Sequence, residues 1–505
     1  MDTKALRQKI LDLAIRGKLV PQDPNDEPAE VLLERIREQK QQMLKEGKLK
    51  KKDIKNDTII FKGEDNLHYE KFQDGTIKCI EDEIPFEVPE GWAWARLRDI
   101  CMMSAGKSKS TDQIKSEPFE ESYPCFGGNG VRGYVDEYNQ DGIFSIVGRQ
   151  GALCGNINIA IGKFYATEHA VVTTLFDGID FKWSNYILEA LRLNNYATGA
   201  AQPGLSVANI LNVFVPVPPT QEQDRIGNNV YESLKIVEAL EQEKIDLQKI
   251  IITAKTKILD LAIRGKLVPQ DPNDEPASVL LERIRTEKEE LIKQGKIKRD
   301  KKESVIFKGD DNSYYLRTGR VEESLEDWRF DDLPETWKIC CLGELCDYGD
   351  CINVNTEDIA EDAWILDLED IEKDTGTVLK KVTKDQRNSV STKHKFHSGQ
   401  VLYSKLRPYL NKVVLSDADG YCTSEILPLE FKNCVLPEYA RYYLMSGTFI
   451  AYANHCSYGV KMPRLGTTDG KKAIFSLPPL SEQKRIVETI DFCFVQLNKI
   501  SEALA

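Results

Sequence analysis

The 505-residue sequence predicts an α+β protein in which two mixed blocks ride on long coiled-coil helices, arranged as a pseudo-two-fold, circularly permuted repeat. Three observations predict it. Residues 9–37 (KILDLAIRGKLVPQDPNDEPAEVLLERIR) recur at 257–285, an offset of 248, with Ser278 in place of Glu30 as the only difference. Pro219-Thr-Gln-Glu-Gln-Asp-Arg-Ile226 recurs as Pro479-Leu-Ser-Glu-Gln-Lys-Arg-Ile486, an offset of 260. On these offsets Ala505 corresponds to position 245 and Met1 to 249, so two complete units are expected. The third observation is a seam of alternating four- and three-residue spacings at Ile226, Val230, Ser233, Val237, Leu240, Lys244, Leu247, Ile251, Ala254, Ile258 and Leu261. Nine of those eleven positions are apolar, the signature of a narrow coiled-coil contact. Pseudo-two-fold symmetry suits a target that is itself two-fold, and duplex DNA is the commonest such target.

The elements follow in order. A first helix runs to Arg16 and stops at Gly17, with Pro21 and Pro24 preventing continuation. A second runs from Pro28 to about Gly47. The seam predicts one long helix over 221–267, roughly 50 Å in span, ended by Gly265, Pro269 and Pro272. Pro276 then opens a helix that ends near Gly295. Both second helices lead into lysine-rich tails at 48–52 and 296–302, which read either as solvated helix ends favoured by the macrodipole or as a phosphate-facing patch.

Between the helical segments lie two dissimilar blocks. Each is preceded by Ile-Phe-Lys-Gly (60–63 and 306–309), opens on Pro-x-x-Trp (89–92 and 334–337) and closes on the Pro-Pro signature. Short β-branched and aromatic runs at 143–147, 170–175 and 400–403 predict strands, and 183–193 and 437–445 predict short helices. Nearly identical spacers carrying divergent blocks suggest two recognition modules held at a fixed separation.

Composition narrows the function. Forty-one per cent hydrophobic and 30% charged residues describe a globular chain rich in exposed helix. No apolar run approaches ~18 residues and the first residues lack a signal peptide's apolar stretch, so the chain is expected to be cytoplasmic, with no membrane partner. Twelve cysteines without a CxxC pair predict reduced, buried thiols. A net charge of −13 counts against gripping nucleic acid by bulk electrostatics. Either the cations gather on one face or a partner supplies phosphate contacts.

Catalytic motifs are missing. Ala105-Gly-Lys-Ser108 ends like a phosphate loop, but Cys101 stands where its first glycine is required. His394 and His397 lack a third ligand nearby and read as a solvated pair. There is no Asn/Asp-Pro-Pro-Tyr/Phe tetrapeptide, and five histidines leave little material for acid–base work. The chain reads as a binder, neither an enzyme nor a metal site. Candidate base readers need Arg, Lys, Asn or Gln on exposed loops. In the first block these are Asn129 and Arg132 within Phe126-Gly-Gly-Asn-Gly-Val-Arg-Gly133, and Arg149 and Gln150 within Val147-Gly-Arg-Gln-Gly151. Flanking glycines permit close approach to a ligand and equally describe tight β-turns. In the second block Lys405, Arg407, Tyr409, Asn411 and Lys412 cluster around a proline, and Lys461 and Arg464 lie in Tyr458-Gly-Val-Lys-Met-Pro-Arg464. Most such contacts would be to phosphate, and only some would read bases.

The permuted repeat, the Pro-Pro-x-x-Glu-Gln-x-Arg-Ile signature and Ile-Leu-Asp-Leu-Ala-Ile-Arg-Gly-Lys-Leu-Val-Pro together resemble the specificity subunits of type I restriction–modification systems over essentially the whole chain. Gly199-Ala-Ala-Gln-Pro-Gly-Leu-Ser206 and Lys405-Leu-Arg-Pro-Tyr-Leu-Asn411 also look like that family's target-recognition domains. The resemblance implies target-recognition domains at 55–218 and 303–478, separated by antiparallel helical regions built from 219–302 and from 1–54 with 479–505. It implies a non-catalytic subunit in which each domain reads half of a bipartite double-stranded DNA site. Two modification (methyltransferase) subunits would dock beside it and methylate adenine, and restriction (translocase/nuclease) subunits would join them. No cofactor is implied for this chain; S-adenosylmethionine, ATP and Mg would belong to the partners. The alternative expectation is a coiled-coil scaffold that tethers proteins without DNA readout.

Overall fold

In the computed structural model, which describes residues 2–151, 153–199, 203–298, 303–311, 313–325, 333–387 and 390–504, the repeated segments fold alike. The first helix spans Thr3–Ile15 and the long helix Thr220–Ile263. Both stop for one reason: Gly17 and Gly265 take φ of +64°, turning the chain back. The Lys18 N–H then donates to the Leu13 carbonyl at 2.8 Å, and Lys266 to Leu261 at 2.9 Å. A side chain at either glycine would also strike a proline, Pro89 or Pro334, at 2.4–2.5 Å. The second helices span Ala29–Lys45 and Ala277–Lys293.

The chain divides into two units, Met1–Lys244 and Ile245–Ala505, at the place where the two repeat offsets meet. The units therefore follow one another in chain order and share the long helix, and the permutation applies to the alternation of spacer and block. Ile226, Val230 and Leu234 belong to the first unit's core. Leu259, Ala262 and Ile263 belong to the second unit's core. Near its ends the helix thus shows a broader apolar stripe than the expected seam, and Leu247 of that seam is exposed.

In each unit a two-stranded antiparallel pair joins the start of the block to its end: Ala93–Arg96 with Phe214–Val217, and Lys338–Cys341 with Ile474–Leu477. The pair brings each Pro-x-x-Trp motif beside its Pro-Pro signature. Trp92 donates through Nε1 to Glu222 at 2.9 Å, while Gln22 donates to the other carboxylate oxygen at 2.9 Å. Trp337 donates to Glu482 in the same way at 2.9 Å, and Gln270 takes the place of Gln22. Arg225 pairs with Asp26, and Arg485 with Asp274 at 2.7 Å. The signature residues are thus a clamp closing helix onto block.

Burial raises the Glu222 and Glu482 carboxyls above their ordinary range, against the two hydrogen bonds that favour the ionised form. With folded pKa above unfolded, the ionised group disfavours the fold; the penalty is absent below the unfolded carboxyl pKa and complete above the folded one. Glu222→Gln removes that penalty but turns an amide N–H toward one of two donors. Losing a charge-assisted bond outweighs the relief, so a net loss of about 1–2 kcal/mol is expected. Thermal unfolding reads it as a drop of roughly 2–8 °C; a rise would contradict the clamp.

The blocks themselves differ. The first carries a six-stranded sheet in the order Cys101–Ala105, Ala170–Leu175, Gln140–Gly148, Ile157–Ala166, Tyr123–Gly127, Gly130–Val135. It curls so tightly that a side chain at Gly106 would lie 2.1 Å from the Ala166 carbonyl oxygen. The helix Phe181–Ala190 packs on it, its Asn185 accepting from Ser145. The second block has a five-stranded and a three-stranded sheet, covered by helices Pro437–Leu444 and Gly447–His455. Preceding each block is a three-stranded meander that the sequence reading did not separate (Ile59–Lys62, His68–Lys71, Ile77–Cys79; Ser304–Lys308, Tyr314–Thr318, Val321–Ser324).

Eight of the twelve cysteines are buried and Cys79 is exposed, against the expectation that all are buried. No helix among the described residues is long and apolar enough to cross a membrane.

Candidate nucleic-acid interface

In the first block, curling of the sheet brings three glycine-rich segments to one apex. The hairpin turn at 128–130, the loop after strand Gln140–Gly148 and the segment 203–205 meet there. Gly151 donates to the Pro203 carbonyl at 3.1 Å, Leu205 donates to that of Arg149 at 2.8 Å, and Arg149 donates to that of His169 at 3.1 Å. A side chain at Gly148 would lie 1.9 Å from the Gly128 carbonyl oxygen, so glycine is required for the turn and loop to touch.

Asn129, Arg149 and Gln150 come together at this apex. Asn129 is exposed and accepts from Asn156 at 3.0 Å. Gln150 is exposed, and its backbone bridges to Gly204. Arg149 is half-buried; one guanidinium nitrogen donates to the Glu168 carbonyl at 3.4 Å, while its Nε has no partner among the described residues. Arg132 stands apart on strand Gly130–Val135 and donates to Thr111 at 3.0 Å.

The sequence reading missed Asn156, Asn158, Glu168 and His169. Asn158 Nδ2, Glu168 Oε2 and His169 Nδ1 are also buried without a partner among the described residues. Asn156 and Asn158 sit two apart where strand Ile157–Ala166 begins, so both amides face one side; that Gly-Asn-Ile-Asn spacing was the available signal. Unsatisfied donors and acceptors gathered around one apex suit a ligand rich in hydrogen-bonding edges. Of the Gly199–Ser206 motif, 200–202 lie outside the described residues.

In the second block the two predicted clusters form one surface. Arg407 donates its N–H to the Pro463 carbonyl at 2.7 Å and Leu465 donates to that of Lys405 at 3.0 Å. Several candidates nevertheless serve the protein itself. Asn411 is buried in a left-handed conformation (φ +50°), its amide 3.4 Å from the Met445 carbonyl. Lys412 donates to the Leu368 carbonyl at 2.6 Å, and burial lowers its ammonium pKa. Arg464 makes a fork on Glu425 with bonds of 2.8–3.1 Å. In this structure all three brace the loop: Lys412 and Arg464 bond to other parts of the block, and Asn411 is buried within it. The partner Glu425 lies 39 positions away and gave no sequence signal.

Lys405, Arg407, Tyr409 and Lys461 remain as candidates, Tyr409 and Lys461 exposed and Lys405 and Arg407 half-buried. Arg407 holds φ of +50°, a strained backbone for arginine, and its Nε is buried without a partner among the described residues. His394 is buried and bonded to the Ile426 carbonyl at 2.8 Å, so it is not the solvated histidine expected; His397 instead meets Glu430 at 2.8 Å. Among the described residues no acidic, histidine or cysteine cluster could hold a metal ion. Of the lysine tails, 299–302 lie outside the described residues, and Lys48 pairs with Glu46 at 2.8 Å.

Comparison with known proteins adds the following. The model of the type I restriction modification DNA specificity domain matches residues 89–254 and 334–503. The chain is 28% identical to the type I restriction enzyme EcoAI specificity subunit of Escherichia coli, covering 98% of this chain and 90% of that one. It is 47% identical to the EcoprrI specificity subunit of Escherichia coli over a shorter stretch, 29% of this chain and 36% of the relative. A solved structure described as the structural basis of complex assembly and conformational transition of the type I R-M system shares the fold. It superposes with a TM-score of 0.50 at 14% identity, covering 83% of this chain and 94% of that one.

Proposed function

The chain belongs to the family of type I restriction–modification DNA specificity proteins, and from that premise we propose that it is the non-catalytic subunit that reads a bipartite duplex site, one half through each block. The observation that carries this reading is the pairing of equivalent clamps with dissimilar apices. Trp92–Glu222 and Trp337–Glu482 hold their blocks in the same way, while the sheets and loops above them differ. One scaffold used twice with different loops recognises two different half-sites.

The helical segments act as an antiparallel coiled-coil spacer. Supporting this, Lys255 reaches Asn498 at 2.6 Å and lies over the Phe494 ring, while Leu259 and Ile263, further along, share a core with Ile486 and Ile490. Two modification subunits dock beside the spacer, bind S-adenosylmethionine and methylate adenine in each half; restriction subunits add ATP- and Mg-dependent cleavage. The net charge of −13 fits this division of labour, with partners supplying much of the phosphate contact.

Methylome sequencing of a methylation-free host expressing the chain with its modification subunit tests the reading. One bipartite motif with methyladenine in both halves supports it. A stable complex that leaves no motif and binds DNA without salt dependence would favour a protein-tethering scaffold instead. Within the motif, Arg407→Ala should weaken specific binding by roughly 1–3 kcal/mol, read by titration against matched and mismatched duplexes. Unchanged affinity would make Arg407 a loop support like Asn411.

A further inference from the structure

The segment 458–464 in the second block has a rigid base and an apolar tip. Tyr458 and Arg464 exchange two backbone bonds, of 3.1 and 2.9 Å, closing the segment into a narrow finger. Gly459, at φ +97°, makes the turn that the closure needs. The Arg464 fork on Glu425, the Arg407–Pro463 bond and the Leu465–Lys405 bond fasten the base at three points.

The tip is the reverse of a protein surface that faces only water. Val460 is fully exposed, Tyr458 is 63% and Met462 48% exposed, and Tyr409 of the adjoining loop is 47% exposed. The finger thus exposes three large apolar side chains on a stiff support, and the loop bonded to its base exposes a fourth. Three cations belong to the same two segments: Lys461 is exposed on the finger, and Lys405 and Arg407 lie half-buried in the loop bonded to its base. Neither 457–464 nor 404–412 contains an acidic residue, in a chain with 81 aspartates and glutamates. The cations match phosphates and the apolar tip matches the faces of bases.

We propose that this finger is a wedge that enters the base stack of duplex DNA within or beside the half-site read by the second block, unstacking one step. The proposal rests on the DNA reading above and adds a mode of contact to it. An apolar wedge between bases bends the duplex and lets more protein surface reach it. The rigid base matters because a floppy tip would lose on ordering what it gains from burial.

The test uses the whole complex with its modification subunit and duplexes carrying the methylome motif. 2-Aminopurine is placed at each position of the second half-site and its flanks, except the methylated adenine. Binding should brighten the probe several-fold at one step. Val460→Ser/Met462→Ser should abolish the brightening and lower affinity about tenfold, with complex assembly unchanged. Lys461→Ala should instead keep the brightening and reduce the salt slope by about one. A serine variant that binds and brightens like the unsubstituted protein overturns the wedge while leaving DNA reading intact. One that loses assembly makes the finger a protein contact, which also overturns it. If the unsubstituted complex shows no specific DNA binding, the functional reading itself fails.

Discussion

Gly148→Ala is expected to silence one half-site. The added methyl would stand 1.9 Å from the Gly128 carbonyl oxygen and 2.9 Å from its carbon, well inside any real contact. Neither side can yield easily. Gly148 donates to the Asn156 carbonyl at 2.9 Å and accepts from Gly155 at 2.8 Å, so the loop end is tied on both faces. The turn opposite carries Asn129, and displacing it would part the surfaces on which Asn129, Arg149 and Gln150 meet. Overpacking against backbone should cost about 3 kcal/mol, or roughly 6–12 °C in the unfolding temperature of a unit this size. Methylation at the bipartite motif should fall at least about a hundredfold, because each mismatched base pair already costs about 1–3 kcal/mol. Gly204→Ala is the control: it lies in the same apex, but its nearest neighbour would be 3.8 Å away. Equal damage from both substitutions, or none from Gly148→Ala, would show that the close approach does not shape the site.

What could be read from the sequence divides by the range of the interaction. Helix ends at Gly17 and Gly265 were legible because a left-handed glycine followed by proline is a local signal. The strand at Ala170–Leu175 was legible as a β-branched run. The clamp was visible only as a repeated pattern. Its chemistry joins Trp92 to Glu222, 130 positions apart, and nothing in either segment names the other as partner. The candidate readers show the same limit. Lys405, Arg407, Asn411 and Arg464 look alike in sequence, as polar groups on a loop. Only the fold shows that Glu425 pairs with Arg464 and that Asn411 is buried beside the Met445 carbonyl. In the first block the signal was real but incomplete: glycine spacing located the apex, while Glu168 and His169 reached it on a turn that carries no glycine.

Lengthening the long helix should change the spacing of the site and leave its halves alone. Duplicating 241–247 inserts seven residues, about 10 Å of helix, and keeps the apolar stripe in phase to within about 20°. The insertion lies between the anchor residues Leu234 and Leu259, so both cores keep their helical faces. Methylome sequencing should then return the same two half-sites with a longer gap, by up to about three base pairs at 3.4 Å per step. A five-residue insertion separates length from phase. It adds about 7.5 Å but rotates everything beyond it by about 140°, turning the far half of the stripe out of register with its partner helix. That variant should lose motif methylation altogether. If five and seven residues are tolerated equally, the helix is a flexible tether and does not measure the gap. If either insertion changes the sequence of a half-site, base reading extends into the helix and the blocks are not independent readers.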